Sequence, residues 1–162
     1  MNDEADLYLQ RAENELVAAE MLFNISSNSM LQKEQFKLEK DFTFYSAVIS
    51  HSYYCIFYSA KSILVKQGVK TDAPEVHKKT LEAFEYYLVQ TGKLDVELLR
   101  MYKKMIVRAD ELLNIFSREK GKRGEFTYQK LPQANKEPAK ESLDNASLFF
   151  KNINKILRNN NI

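Results

Sequence analysis

The first candidates for a functional role are three regularly spaced basic residues, which we call the line of cations. Arg100, Lys104 and Arg108 recur every four residues, so on a helix they share one face. Asp110 follows Arg108 by two positions. Such a line is typical either of a solvated face with ion pairs along the helix or of an edge that binds phosphate.

The chain has two histidines, His51 and His77, and one cysteine, Cys55. The histidine spacing matches no metal-binding motif, and one cysteine can build neither an internal disulfide nor a cysteine-based zinc site. We therefore predict no metal and no other cofactor. His51 is interpreted as a core histidine bonded to a backbone or tyrosine group. His77 lies at a predicted helix amino terminus, where the dipole favours the neutral imidazole, which could contact a ligand.

Aromatic residues crowd one segment. Tyr53, Tyr54 and Tyr58, with Phe57, cover nearly every side of a predicted helix. Core packing with the hydroxyls reaching the surface is the simpler interpretation, although a pair of tyrosines can also stack on a base. The sequence contains no nucleophile–base pair, glycine-rich phosphate loop or pair of carboxylates at catalytic spacing.

The amino-acid composition indicates the kind of secondary structure that positions these residues. The 162 residues are 44% apolar and 28% charged, which excludes a disordered tail or a collagen-like fibre. Four glycines and three prolines are too few for a protein built on sheets and turns, so the sequence predicts an all-α fold. The net charge of +2 is too small to indicate nucleic-acid binding by itself. The charge is nevertheless polarised, with six acidic residues and only Arg11 in residues 1–20, and seven Lys or Arg against three Glu in residues 117–140.

Apolar residues spaced by three and four predict the helices. Residues 24–29 are predicted to be a polar break, and residues 30–40 a short helix or a long loop. We predict one domain over residues 1–162, an up-and-down antiparallel bundle of four to five helices. The predicted helices are 3–23, 42–67, about 72–91, 95–118 and 138–158.

Capping residues set the predicted helix ends. Asp72 and Glu75 have the spacing of a capping box, with Pro74 in the first turn. The other start and stop signals are Asp41, Gly68, Gly92 and Asp95.

One segment, residues 42–60, has no charged residue over 19 positions, close to the length of a membrane span. Its many hydroxyl groups and His51 make it a poor lipid-facing helix, so we predict the central buried helix of a bundle and no membrane association. The first residues are acidic, unlike a signal peptide, and we expect a cytoplasmic protein.

Several further segments occur in a fixed order along the chain: Ala12–Leu16, Ser52–Leu64, Val76–Lys79 with Phe84, Arg108–Asp110, Phe126–Tyr128 and Ala146–Phe150. Together and in that order they resemble the HEPN family. The resemblance covers residues 5–158 apart from 24–41 and 111–127. It implies a bundle of four to five helices that commonly forms a homodimer and is often paired with a minimal nucleotidyltransferase in a toxin–antitoxin system.

Many members of that family are metal-independent ribonucleases that carry an arginine followed, after four to six residues, by a histidine. In this chain Arg108 lies in the matching helix, but the histidine positions hold Leu113, Asn114 and Ile115, and Ala109 replaces the usual polar neighbour. The ribonuclease signature therefore lacks its histidine, and no residue is assigned as catalytic. The resemblance gives the candidate ligand-binding residues Arg108, Asp110, His77, Tyr54 and Tyr128.

Three functional hypotheses follow. The first is a bundle that binds nucleotide or RNA phosphate, with Arg108 anchoring a phosphate and Asp110 orienting it or binding a ribose hydroxyl. The second is a ribonuclease toxin in which Arg108 works with Asp110, Asn114 or Tyr128. The third is a non-catalytic module that pairs with itself or with another subunit.

Overall fold

A computed structural model describes residues 3–121 and 136–159 as helices joined by short connections. No strand occurs within those ranges, which confirms the predicted all-α bundle. The helices are α1 Asp3–Ser27, α2 Ser29–Phe36, α3 Tyr45–Lys66, α4 Val76–Phe84, α5 Val96–Gly121 and α6 Lys136–Arg158.

Helix α3 is the centre of the bundle. It packs against α1, α4, α5 and α6, and most of its side chains are buried, as predicted for the uncharged segment. Three fully buried rings, Phe84, Tyr102 and Phe149, meet beside it with centroids 5.6–6.0 Å apart. Among the described residues, none of the helices has the length and apolar character needed to span a bilayer.

Helix α1 is longer than predicted. The polar residues 24–29 do not break it, because Ser26 and Ser27 donate their hydroxyls to carbonyls one turn earlier, at Leu22 and Phe23. The helix therefore continues to Ser27, and a short second helix starts at once, with Asn28 accepting a hydrogen bond from the backbone of Leu31.

The prediction that Asp41 caps the central helix is wrong. Helix α3 begins at Tyr45, and no side chain caps its amino terminus. The segment before it is held instead by the buried Gln32, whose amide nitrogen donates to the Phe42 carbonyl and whose oxygen accepts from the Phe42 backbone. These two bonds keep residue 42 out of a helix.

The predicted capping box of Asp72 and Glu75 does not form either. Glu75 has a left-handed backbone (φ 57°) and its side chain makes no capping bond, and Pro74, which follows a cis peptide bond, lies before the helix rather than in its first turn. Helix α4 begins at Val76.

Helix α4 passes directly into a π-helical turn, Glu85–Val89, closed by a 2.8 Å bond from the Gln90 amide to the Glu85 carbonyl. The wider turn keeps Leu88 in the core while Tyr86 and Tyr87 face solvent. The predicted ends nearby are confirmed. Gly68 and Gly92 both have φ of 75° after α3 and the π-helical turn, and Asp95 accepts a 2.9 Å bond from the Glu97 amide at the start of α5.

Candidate functional site

The outer face of α3 carries a cluster of rings and cations that we call the aromatic–cation surface. On α3, residues three and four apart share a face, which brings the rings of Tyr54, Phe57 and Tyr58 beside Lys61. Helix α1 lies along one edge and the first turn of α4 along the other. The surface consists of Tyr8, Arg11, Tyr53, Tyr54, Phe57, Tyr58, Lys61 and His77.

His77 is held against this face by stacking and by one hydrogen bond. Its ring lies 4.2 Å from the Phe57 ring, centroid to centroid, and Nδ1 is 2.8 Å from the Tyr53 hydroxyl. Burial and the charge of Lys61 lower the pKa of His77, so the imidazole is neutral at pH 7. The sequence analysis also predicted a neutral His77, but attributed it to the helix dipole. In the structure the causes are burial and the charge of Lys61.

The Tyr53 hydroxyl lies at Nδ1 of His77, so Nε2 is the nitrogen left for another partner. Burial, with smaller effects of Tyr54 and Asp110, raises the pKa of Tyr53 to about 12, so this phenol keeps its proton. A protonated phenol can donate to Nδ1 of the neutral ring, and the proton of the imidazole then resides on Nε2. The ring can therefore offer an N–H donor to a ligand on this face.

Two cations of the surface are compensated by rings rather than by carboxylates. The Arg11 guanidinium lies 5.8–5.9 Å from the Tyr8 and Tyr58 ring centroids. Lys61 is only 7% exposed, donates a 2.9 Å bond to the Thr71 carbonyl and lies 4.8 Å from the Tyr8 ring centroid. Among the side chains that the structure describes, no carboxylate oxygen lies within 4 Å of Arg11 or Lys61.

Tyr54 is the ring that faces solvent at the centre of this surface. It is 38% exposed, and its neighbours Tyr53, Tyr58 and His77 surround it at centroid distances of 5.4–6.1 Å. A ring supported on its edges but open to solvent can stack on a further planar group.

The line of cations on α5 has a different environment. Arg100 pairs with Glu97, Lys104 with Glu141, and Arg108 with both Glu111 and Glu141. The hydrogen bond and charge of Lys104, followed by the smaller effects of Arg108, lower the pKa of the Glu141 carboxyl despite some opposing desolvation. This face therefore consists of ion pairs, which is the simpler of the two interpretations given by the sequence.

Arg108 and Asp110 point to different sides of α5, because residues two apart on a helix are separated by about 200°. Arg108, 27% exposed at its side chain, contacts Glu141 of α6 at 3.3 Å. Asp110 is exposed on the side of Tyr53, close enough for its charge to affect that phenol. The structure thus brings Tyr54 and His77 together, leaves Asp110 near enough to Tyr53 for its charge to act on that phenol, and gives Arg108 other partners, Glu111 and Glu141.

Other candidates lie elsewhere. The prediction that His51 is bonded to a backbone or tyrosine group is wrong. Its Nδ1 instead lies 2.5 Å from the Glu15 carboxylate, and this contact joins α3 to α1. Tyr128 lies outside the described residues, as does the side chain of Asn114. The described residues include no group of three or more His, Cys, Asp or Glu side chains that could hold a metal ion.

Sequence reasoning missed Tyr8, Arg11 and Lys61 as members of a site. The available signal was Arg11, the single basic residue among the first twenty. Its position on α1, one turn after Tyr8, brings it to the tyrosines of α3 only once α1 and α3 are packed.

Comparison with known proteins gives one similarity. The chain is 28% identical over 95 residues to a Methanocaldococcus jannaschii protein named "Putative toxin MJ0142". The match covers 59% of this chain and 51% of the relative, so the chain spans about half the length of the curated relative it matches. No family model and no solved structure matches the chain. This bundle is therefore similar, over somewhat more than half its length, to a protein named as a toxin.

Proposed function

We propose that this chain is a HEPN-like helical bundle that binds RNA or a nucleotide on the aromatic–cation surface. The observation that carries the proposal is the combination of an exposed ring, Tyr54, with the cation Arg11, which no carboxylate neutralises in the described part of the chain. Proteins that bind single-stranded nucleic acid use this combination, in which bases stack on aromatic rings and cations attract the backbone.

Each group has a chemical task in this proposal. A base stacks on Tyr54, and the Arg11 guanidinium contacts a phosphate. The Nε2–H of His77 donates to an acceptor of the base or phosphate, and Asp110 accepts from a ribose hydroxyl. Lys61 contributes through its positive charge, because its amine is buried.

The partners we propose come from the resemblance to the HEPN family and from the similarity to a protein named as a toxin. The chain acts as one component of a toxin–antitoxin-type pair, forms a homodimer and associates with a nucleotidyltransferase. Copurification of this chain with such an enzyme, when both are expressed together, tests the pairing.

The binding test uses fluorescence anisotropy with a labelled single-stranded RNA of about ten nucleotides, at two salt concentrations. We expect Tyr54→Ala to weaken binding by about tenfold or more, since one base–ring stack contributes about 1–3 kcal/mol. Tyr86→Ala is the matched control, because Tyr86 is 61% exposed but lies on the π-helical turn, away from the surface. Equal loss in both variants, or no binding by the wild type, contradicts the proposal.

A second candidate function is RNA cleavage, and one observation favours it. His77, held in place by Tyr53 and neutral at pH 7, is a group that can accept a proton as a general base. In that reaction the 2′-hydroxyl oxygen attacks phosphorus, the bond to the 5′ oxygen breaks, and a 2′,3′-cyclic phosphate and a 5′-hydroxyl form. Incubation of end-labelled RNA with the protein in EDTA, beside His77→Ala and Arg108→Ala, tests it, and intact RNA in every lane contradicts it.

A further inference from the structure

A second feature lies between α1, α3 and α6, lined by residues that do not belong to the aromatic–cation surface. It is a cavity of about 700 Å³, within the size range of ligand-binding cavities. Its apolar lining comes from α1 and α6, including Leu9 of α1 and Phe150 and Leu157 of α6. The Ser62 hydroxyl of α3 also faces it and donates to the Ala5 carbonyl.

The charged groups of the cavity are sorted by sign. Asp6 and Glu13 stand on α1, about 10 Å apart along the helix axis because seven residues separate them. Lys66 and Arg158 stand at the carboxyl ends of α3 and α6. The two signs therefore stand on different helices of the lining, the acidic side chains on α1 and the basic side chains on α3 and α6, and the apolar side chains line the same cavity.

These four charges do not neutralise one another. In the described portion of the chain, none of them has an oppositely charged side chain within 4 Å. The ion pairs elsewhere in the bundle show that its surface charges do pair when they are close, as Lys70 does with Glu4 at 2.9 Å. Here the cavity keeps the two signs apart.

We propose that this cavity binds a short peptide segment in which an apolar side chain lies between a cation and an anion. The peptide cation meets Asp6 and Glu13, the anion meets Lys66 and Arg158, and the apolar side chain contacts Leu9, Phe150 and Leu157. A peptide with two cations is attracted by one wall and repelled by the other, and the same holds for two anions. The charge pattern therefore selects peptides that carry both signs.

The test uses three tripeptides with blocked ends, titrated against isotope-labelled protein and followed by amide chemical shifts in NMR spectra. They are acetyl-Lys-Phe-Glu-amide, acetyl-Lys-Phe-Lys-amide and acetyl-Glu-Phe-Glu-amide. We expect the first to bind at least about fivefold more tightly than the other two, since two partly exposed charge pairs contribute together up to about 2 kcal/mol. The shifts should centre on Leu9, Ser62 and Leu157.

Charge reversal on α1 tests whether its acidic side chains select the peptide. The double variant Asp6→Lys with Glu13→Lys should lose this preference and bind the dianionic peptide most tightly. The matched control, Glu20→Lys with Glu34→Lys, changes the net charge equally at exposed positions outside the cavity and should retain the wild-type preference. If the charge reversal prevents folding, Asp6→Asn with Glu13→Gln should still abolish the preference.

Three results would overturn the proposal: equal binding of all three peptides, no shifts at the cavity up to 5 mM of peptide (about the weakest affinity such contacts allow), or the same loss in the control variant.

Discussion

The line of cations on α5 and the aromatic–cation surface contain similar positive groups in opposite situations. On α5, every cation of the line contacts a carboxylate, and Glu141 alone serves both Lys104 and Arg108. On the outer face of α3, Arg11 contacts rings instead. A carboxylate cancels the charge of its partner, whereas a ring leaves the net charge in place. The regular spacing of cations in a sequence therefore says little about which of them can bind an anion.

The largest expected difference between the two regions is in RNA affinity after charge reversal. We expect Arg11→Glu to weaken binding of the labelled RNA by about tenfold and to reduce the salt dependence, because a phosphate contact is lost. Arg108→Glu should weaken binding less, by about threefold through nonspecific repulsion, because Arg108 is paired with carboxylates and contacts no RNA in this proposal. Anisotropy titrations of both variants at 50 and 200 mM salt provide the measurement. The opposite ranking would place the site on α5.

Removing the Glu141 carboxylate should make the line of cations on α5 more similar to the aromatic–cation surface in its attraction for RNA. Glu141→Gln leaves Lys104 and Arg108 without their common partner. We expect RNA affinity to increase by about threefold at low salt, because two cations are released for nonspecific attraction. The same release should occur in the wild type at acidic pH, below the lowered pKa of Glu141. Glu137→Gln, at an exposed carboxylate of α6 outside these pairs, is the control, and an equal increase there would contradict the explanation.

A smaller effect is expected on the titration of His77. Lys61→Met removes the positive charge that, together with burial, lowers the pKa of His77, so the pKa should increase toward its usual value of 6.5. NMR titration of the imidazole protons measures it, with Lys66→Met on the same helix as control.

The lowered pKa of His77 also determines the direction in which the stability of the fold changes with pH. The folded state binds the proton less readily than the unfolded chain, so this histidine lowers stability as the pH drops from about 6.5 through its folded pKa, and has no such effect above. His77→Gln should flatten that part of the pH profile in thermal unfolding. A profile unchanged by the substitution would contradict the assignment.

The smallest expected effect concerns the stability of the α5 face. Lys104→Met should change the free energy of unfolding by less than about 1 kcal/mol, because Lys104 and Glu141 are both about half exposed and solvent screens the pair. Urea unfolding provides the value. A decrease of several kcal/mol in the free energy of unfolding would contradict this expectation and show that these pairs hold α6 onto α5.

Local sequence signals predicted much of the fold. The central buried helix, the glycines that end α3 and the π-helical turn, and the cap at Asp95 all depend on short-range patterns. The errors at Asp41 and at the Asp72–Glu75 box are both at helix starts for which a local motif was present. At the first, Gln32 binds the backbone of Phe42 across ten residues. At the second, Glu75 has a left-handed backbone and its side chain caps nothing, so α4 begins only at Val76.

The candidate site was less predictable because its contacts join distant parts of the chain. His77 meets Tyr53 across 24 residues, and Arg108 meets Glu141 across 33. Neither partner follows from spacing along one helix. The periodicity of α5 correctly placed Arg100, Lys104 and Arg108 on one face, but the partners of that face depend on how α6 packs.

The π-helical turn at Glu85–Val89 has a consequence for how this chain can vary. Its closing bond spans five residues where an α-helix spans four, so the turn contains one residue more than regular helix needs. Deleting one exposed position there, Tyr86, would convert the turn to ordinary helix at little cost to the segments on either side. We therefore expect the bundle to accommodate the loss of a single residue at this turn.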